Sequence, residues 1–437
     1  MRTLRYLAVG LFVTGCGAGE PDPQGGPDAR DGDAPLPDGP DGEQLPGDVL
    51  WKYPYALQVE LAPTIAPDGT IIVQGKDSTN TPTDGPTVVA IDRAGALRWS
   101  AVTNPGAIPA PPATVVDDLV LVPASTRGGS LDGRIHRYRL ADGMALDPVV
   151  LTGPITDGLA IGANGTIYAP ATPLQAIAPG ATTPTWSYAM TNGGKTGSNA
   201  AVGPSGTIYV GGRGTAEHNL HAVNPDGTEK WVRDLGNAVI DPIAIDEQER
   251  VYTVTSRGKL FAYDADGTVA WTYQFDSGTS GGGIAIGPDR TIYVGTTGPT
   301  PGSYTGEYLF ALREGANGQG ELVWRKLVGL SWVSATPALS ASGTLYVSDF
   351  CRTIIAVRAS DGEKLWDYVI PELSGEVCAG FSAPRIAPDG TVYAWNEGLS
   401  AGAGGGLYAF RGDGSGPAAS AWPQEGRDPA HRGHVAP

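Results

Sequence analysis

The stretch Ala62-Pro63-Thr64-Ile65-Ala66-Pro67-Asp68-Gly69-Thr70-Ile71-Ile72-Val73 decides the fold. A small residue and a proline lead into a short apolar run, Asp68-Gly69 turns the chain, and β-branched residues carry it back. Glycine supplies the positive φ of a tight turn, so the phrase reads as two antiparallel strands. It returns at Leu159–Ala169, Ala200–Val210, Ile284–Val294, Thr336–Val347 and Ala383–Ala394, and in degenerate form at Ala113–Val122 and Ile243–Val254. The first turn residues stand at 68, 117, 164, 205, 248, 289, 342 and 389, with spacings of 41 to 53. Eight copies at that period are eight supersecondary units, none able to bury its own faces alone.

The second half of each unit repeats as well. Leu260-Phe261-Ala262-Tyr263-Asp264 alternates, Ala265-Asp266-Gly267 turns, and Thr268-Val269-Ala270-Trp271 ends on an indole. Parallel forms end at Trp99, Trp186, Trp231, Trp324 and Trp366. Each unit therefore offers four antiparallel strands, and four-stranded sheets set radially make a propeller. The expected fold is all-β: an eight-bladed β-propeller of four-stranded antiparallel blades over residues 49–437, with a C-terminal tail. The recurring tryptophan is read as packing between blades.

In these phrases the chain resembles the pyrroloquinoline-quinone-like (PQQ-like) propeller repeat, with its small-Pro opening, Asp-Gly hairpin, Leu-Tyr-Ala strand and docking tryptophan. Among lipid-anchored members it is similar to the BamB-like lipoproteins of outer-membrane barrel assembly. Trp422-Pro423-Gln424-Glu425-Gly426-Arg427-Asp428 also resembles a Trp-Pro-x-x-x-x-Asp sequence found at the ends of such propellers. The resemblance implies a non-catalytic binding or scaffold module. The alternative it implies is a periplasmic oxidoreductase that uses pyrroloquinoline quinone with calcium.

Trp51-Lys52-Tyr53 matches Trp186-Ser187-Tyr188, Trp271-Thr272-Tyr273 and Trp366-Asp367-Tyr368, all ends of outer strands. The first strand of the body is therefore expected in the last blade, joining the two ends of the chain. Trp422 competes for that slot, because it follows Ala409 at the distance at which Trp324 follows Ala311.

The N-terminus reads as an address. Arg2 and Arg5 precede the apolar run Leu7–Val13, which is shorter than the roughly 20 residues of a membrane span. Residues 1–15 are read as a signal peptide. Val13-Thr14-Gly15-Cys16 resembles the lipobox of bacterial lipoproteins, which implies acylation of Cys16 and anchoring to the cell envelope. Gly17 in place of aspartate points to the outer membrane. Residues 16–48 form an acidic Pro/Gly-rich tether, too poor in apolar residues to offset its ordering entropy.

Charge narrows the partners. Removing the −8 of residues 17–48 and the +2 of the leader from the total of −17 leaves −11 on the body. Nucleic acid binding requires a basic face, so it is not expected. The expected partner is an envelope protein or polymer, met by a monomeric propeller.

Propeller topology sorts the loops. The Asp-Gly turns share one face; the longer connections, among them Lys76–Pro86, Thr296–Glu307 and Tyr368–Phe381, share the other. Recognition residues concentrate on loops held by a rigid scaffold. The candidate binding face therefore comprises Lys195, Asn199, Arg213, Trp332, Asp349, Arg352, Trp395 and Glu397. Cys351 ends the second strand of blade 7 and Cys378 precedes blade 8, so neighbouring blades bring the two to one face. A disulfide between them is expected, the alternative being two partly buried thiols.

Chemistry is sparse. No adjacent cysteine pair of the kind the eight-bladed quinoprotein dehydrogenases carry is present, and Asp264-Ala265-Asp266-Gly267 is the repeat's own turn rather than a calcium loop. The pairs His218/His221 and His431/His434 lack the companions of a zinc site, and His136 stands alone. No catalytic residue, metal or cofactor is expected under the binding reading.

Overall fold

The computed structural model describes residues 44–435, except stretches within 55–61, 78–86, 104–110, 127–132, 156, 191–194, 214–218, 237–241, 277–281, 297–307, 329–334, 350–352, 372–380 and 397–404. The expected signal peptide and nearly all of the expected tether lie outside the described residues. The described regular elements are strands in eight antiparallel sheets. In chain order the blades span 57–102, 107–150, 160–188, 195–234, 244–274, 284–327, 338–369 and 385–410.

The ring closes through the N-terminal strand. Val49–Tyr53 pairs antiparallel with Gly406–Phe410, setting Trp51 opposite Ala409 and Tyr53 opposite Leu407. It is the fourth strand of blade 8, the place the Trp51-Lys52-Tyr53 match assigns it. Trp422 takes a different position, described below.

Within a blade the second and third strands are buried on both sides, as in Ile208–Arg213 and Asn219–Val223. The fourth strand alternates; Glu229–Asp234 buries Trp231 and leaves Glu229, Lys230 and Asp234 toward solvent. Inner strands are short, and in blades 1, 2 and 4 they come in two pieces that pair with the same second strand. Pro63, Pro111 and Pro112 fall between such pieces, where a residue without an N–H costs no ladder bond.

Packing between blades follows one device. The indoles of Trp51, Trp99, Trp186, Trp231 and Trp324 lie over the third-to-fourth-strand turn of the next blade and donate to a carbonyl there, whereas Trp271 Nε1 has no hydrogen-bond partner among the described residues. Trp51 reaches Arg93 O at 2.9 Å, Trp99 Leu140 O at 2.8 Å, Trp231 Ala265 O at 3.0 Å and Trp324 Ala359 O at 2.9 Å. The turn must present glycine to that ring: a Cβ on Gly95 would sit 2.9 Å from Trp51, and one on Gly143 2.6 Å from Trp99. Blade 2 has Val149 and Val150 in its fourth strand and no tryptophan. Correspondingly, a Cβ on Gly180 in the facing turn of blade 3 would meet nothing within 4 Å. Apolar clusters fill the remaining interfaces, as where Tyr346 and Ile354 of blade 7 meet Ile386 and Val392 of blade 8.

Candidate functional site

The first-to-second-strand turns need a left-handed residue. Glycine supplies it at Gly69, Gly165, Gly206, Gly343 and Gly390, all with φ near +85°. In the degenerate copies Asp117, Glu249 and Arg290 adopt φ of 50°, 61° and 63° instead. Two of these are fixed by their side chains. Arg290 pairs with the buried Asp246 carboxylate at 2.8 Å, and Glu249 accepts from Tyr209 Oη at 2.9 Å and Ser205 N at 3.2 Å. These short turns make a tight rim on one side of the ring.

The C-terminal segment fills the axis beneath that rim. After blade 8 the chain crosses the first turn of blade 7, where the Asp413 carboxylate accepts from Ser340 Oγ at 2.6 Å and Ser415 N at 2.9 Å. From Trp422 to Gly433 it then circles the axis, and the inner strands donate to it in ring order. Trp422 O accepts from Ile286 N of blade 6 at 2.7 Å, Pro423 O from Leu339 N of blade 7 at 2.8 Å, and Gln424 Oε1 from Ile386 N of blade 8 at 3.0 Å. Pro429 O accepts from Ile65 N of blade 1 at 2.7 Å, Ala430 O from Val115 N of blade 2 at 3.0 Å, Arg432 O from Ile161 N of blade 3 at 2.9 Å and Gly433 O from Val202 N of blade 4 at 2.8 Å. Trp422 and Val435 meet over blade 5, in one apolar cluster with Ile243 and Ala244. The segment adds no strand to any blade.

At its centre lies a buried charge. Arg385, in the inner strand of blade 8, is fully enclosed. Its Nη1 donates to Glu425 O and its Nη2 lies 3.7 Å from the Glu425 carboxylate. His431 Nε2 stands 3.7 Å from the other carboxylate oxygen. Burial opposes charge on Glu425, but His431 and Arg385 outweigh it and hold the carboxyl below its usual range. Arg385 Nε and Nη2, Gln424 Nε2 and both ring nitrogens of His431 have no hydrogen-bond partner among the described residues.

This cluster escapes the sequence reading, although a signal for it exists. The residue at this inner-strand position is Thr64, Thr114, Ala160, Ala201, Ala244, Ala285 or Ala338 in seven copies and Arg385 in the eighth. A lone cation in a column of small residues needs a buried partner, and only the tail is left to provide one.

The predicted recognition residues divide. Lys195 is exposed and stands opposite Arg213 across the strand pair at the loop-side end of blade 4, two cations side by side. Asn199 is partly buried, and its Oδ1 accepts from Gly158 N at 2.5 Å, tying blade 4 to blade 3. Asp349 is buried, its carboxylate accepting from Thr353 N at 2.8 Å to cap its own loop. Trp395 is 1% exposed, packed between blades 8 and 1. Asp349 and Trp395 both lie at or just past the end of a second strand and are buried there. Trp332, Arg352, Glu397, Cys16, Cys351 and Cys378 lie outside the described residues.

Among the described residues there is no group of three His, Cys, Asp or Glu placed to bind a metal ion. His221 is buried with Nδ1 3.0 Å from Tyr188 Oη, and that hydroxyl donates to Glu229 at 3.1 Å. This chain of bonds lies inside the blade 3–blade 4 interface and serves packing.

Comparison with known proteins bears on the repeat. The family described as outer membrane protein assembly factor BamB matches residues 172–306. No curated protein matches the sequence. Among solved structures, BamB from Moraxella catarrhalis is similar at 14% identity and a TM-score of 0.58, over 82% of this chain and 96% of that one. Quinohemoprotein alcohol dehydrogenase from Comamonas testosteroni is similar at 13% identity and a TM-score of 0.60, over 83% and 76%. The computationally designed Ika8 protein is similar at 12% identity and a TM-score of 0.59, over 83% and 100%. At such identities the likeness is one of fold. The family match covers residues 172–306, and what the whole ring shares with these structures is the propeller fold.

Proposed function

We propose that this BamB-like propeller is a lipid-anchored envelope module that binds another protein through its loop side and performs no chemistry. One observation carries the reading: the two sides of the ring are built differently. The short-turn side is tight, and the chain's own tail saturates the inner-strand amides of seven blades there. On the opposite side second strands run toward third strands, and the Lys195/Arg213 pair stands at that end of blade 4. On a chain of net charge −17 the exposed Lys195 adds a positive charge there, suited to an acidic surface of a partner. The family match supports an envelope assembly role, and Cys16 supplies the anchor.

The fold is shared with a quinohemoprotein dehydrogenase, so a quinone-dependent oxidoreductase is the second reading. Two experiments separate them. Crosslinking in the native envelope through photoreactive residues on the loop side should trap a discrete partner, and Lys195→Glu with Arg213→Glu should reduce the yield at least fivefold. Added pyrroloquinoline quinone and calcium should give no saturable dye reduction. Saturable reduction together with unchanged crosslinking in the double variant would replace the binding reading with the enzymatic one.

A further inference from the structure

We infer that the seat of the C-terminal segment is a peptide-binding site, and that residues 417–435 are its resident, exchangeable ligand. The ring is complete without this segment, since Val49–Tyr53 supplies the last strand of blade 8. What the segment adds is an occupant. Six inner strands donate to its backbone carbonyls and a seventh to the Gln424 side chain. Main-chain bonds of this kind read backbone rather than side chains, so a peptide that reproduces the turns of residues 424–433 can make them.

Selectivity comes from two fixed points. Trp422 is buried in the apolar cluster shared by blades 4, 5 and 6. Three residues on, Glu425 meets Arg385, whose guanidinium is otherwise unpaired inside the protein. A buried cation left without its anion is strongly unfavourable, so the seat demands a carboxylate at that spacing. The ligand class is a turn-forming peptide that begins Trp-Pro, carries an acidic side chain three residues after the indole and places left-handed residues where Gly426, Arg427, His431 and Gly433 stand. Peptide and seat are joined by one covalent path, through Gly412-Asp413-Gly414-Ser415-Gly416. Gly414 is exposed, and its Cβ position meets nothing within 4 Å. The loop side plays no part, so this inference stands or falls apart from the proposed function.

The test begins with the full chain, folded with a protease-recognition sequence inserted between Gly414 and Ser415 and cut afterwards. The cut tail should co-elute with the ring. A fluorescent synthetic peptide of residues 417–437 in excess should then replace it while the ring keeps its circular dichroism and cooperative melting. Peptides carrying Glu425→Gln or Trp422→Ala should compete at least tenfold more weakly. Exchange only at denaturant concentrations that unfold the ring would make the tail core, not ligand, and overturn the inference. So would aggregation of the ring when the tail leaves, or equal competition by the Glu425→Gln peptide.

Discussion

A left-handed residue in the first turn of a blade shows how one position carries a local cost. Glycine takes that conformation freely, whereas an L side chain costs about 1–2 kcal/mol there. Asp117 has φ of 50° and is exposed. Asp117→Gly should therefore stabilise the fold by about 0.5–1 kcal/mol. Glu249 has φ of 61° but holds Tyr209 Oη and Ser205 between blades 4 and 5. Removing its carboxylate strands a buried hydroxyl, which costs about 1–3 kcal/mol, so Glu249→Gly should destabilise despite the relieved backbone. Urea midpoints of the two variants should move in opposite directions; a rise for both would mean that the Glu249 bonds contribute nothing. The degenerate repeats are legible in sequence because the turn position survives the loss of its glycine. Why Asp117 and Glu249 differ is not legible, since it depends on which blade faces each side chain.

At the scale of the element, the closing strand and the tail were two claims on one slot. Sequence favours Val49–Tyr53 because Trp51-Lys52-Tyr53 repeats the outer-strand phrase, and Trp51 then docks on Gly95 of blade 1 as its counterparts dock. Deleting residues 44–53 should lower the unfolding free energy by at least about 3 kcal/mol, the scale of losing one packed tryptophan. An unchanged denaturant midpoint would remove this strand from the ring's stability. The tail's path was hidden for a physical reason: most of its bonds to the inner strands are made by backbone carbonyls, which carry no sequence pattern. Its anchor titrates. Burial works against the Asp413 charge, but Ser340, Ser342 and Ser415 outweigh it and hold the carboxyl at about 2 against an ordinary 3.8. A carboxyl depressed by folding stabilises above its unfolded value and loses that contribution as pH falls through the folded one. Stability should therefore decline between about pH 4 and 2, and Asp413→Asn should flatten the slope of denaturant midpoint against pH in that window. An identical slope in the variant would assign the acid loss to other carboxylates, with Glu425 as the next candidate.

For the whole molecule, the anchor and the loop side set the remaining expectations. Cys16→Ser should leave an exported protein that washes from membranes; recovery at wild-type levels in the washed fraction would sink the lipid anchor. Around the expected Cys351–Cys378 bridge, the flanking residues already touch. Ser348 Oγ donates to Ser382 O at 3.0 Å, joining the end of a blade 7 strand to the start of blade 8. A bridge closing that loop should add about 3 kcal/mol, and thiol titration of the exported Cys16→Ser protein should find no free thiol. Two titrating thiols would reject it. The closing strand also sets a timetable. Val49–Tyr53 is among the first parts of the body to emerge during synthesis or export, yet its partner, Gly406–Phe410, is among the last. Until then Val49–Tyr53 has no strand to pair with, and its backbone must wait unpaired, the condition in which strand edges recruit other chains. A ring fastened by its own beginning therefore completes only when nearly the whole chain has been made, and its yield should depend on how well that waiting strand is kept from strangers.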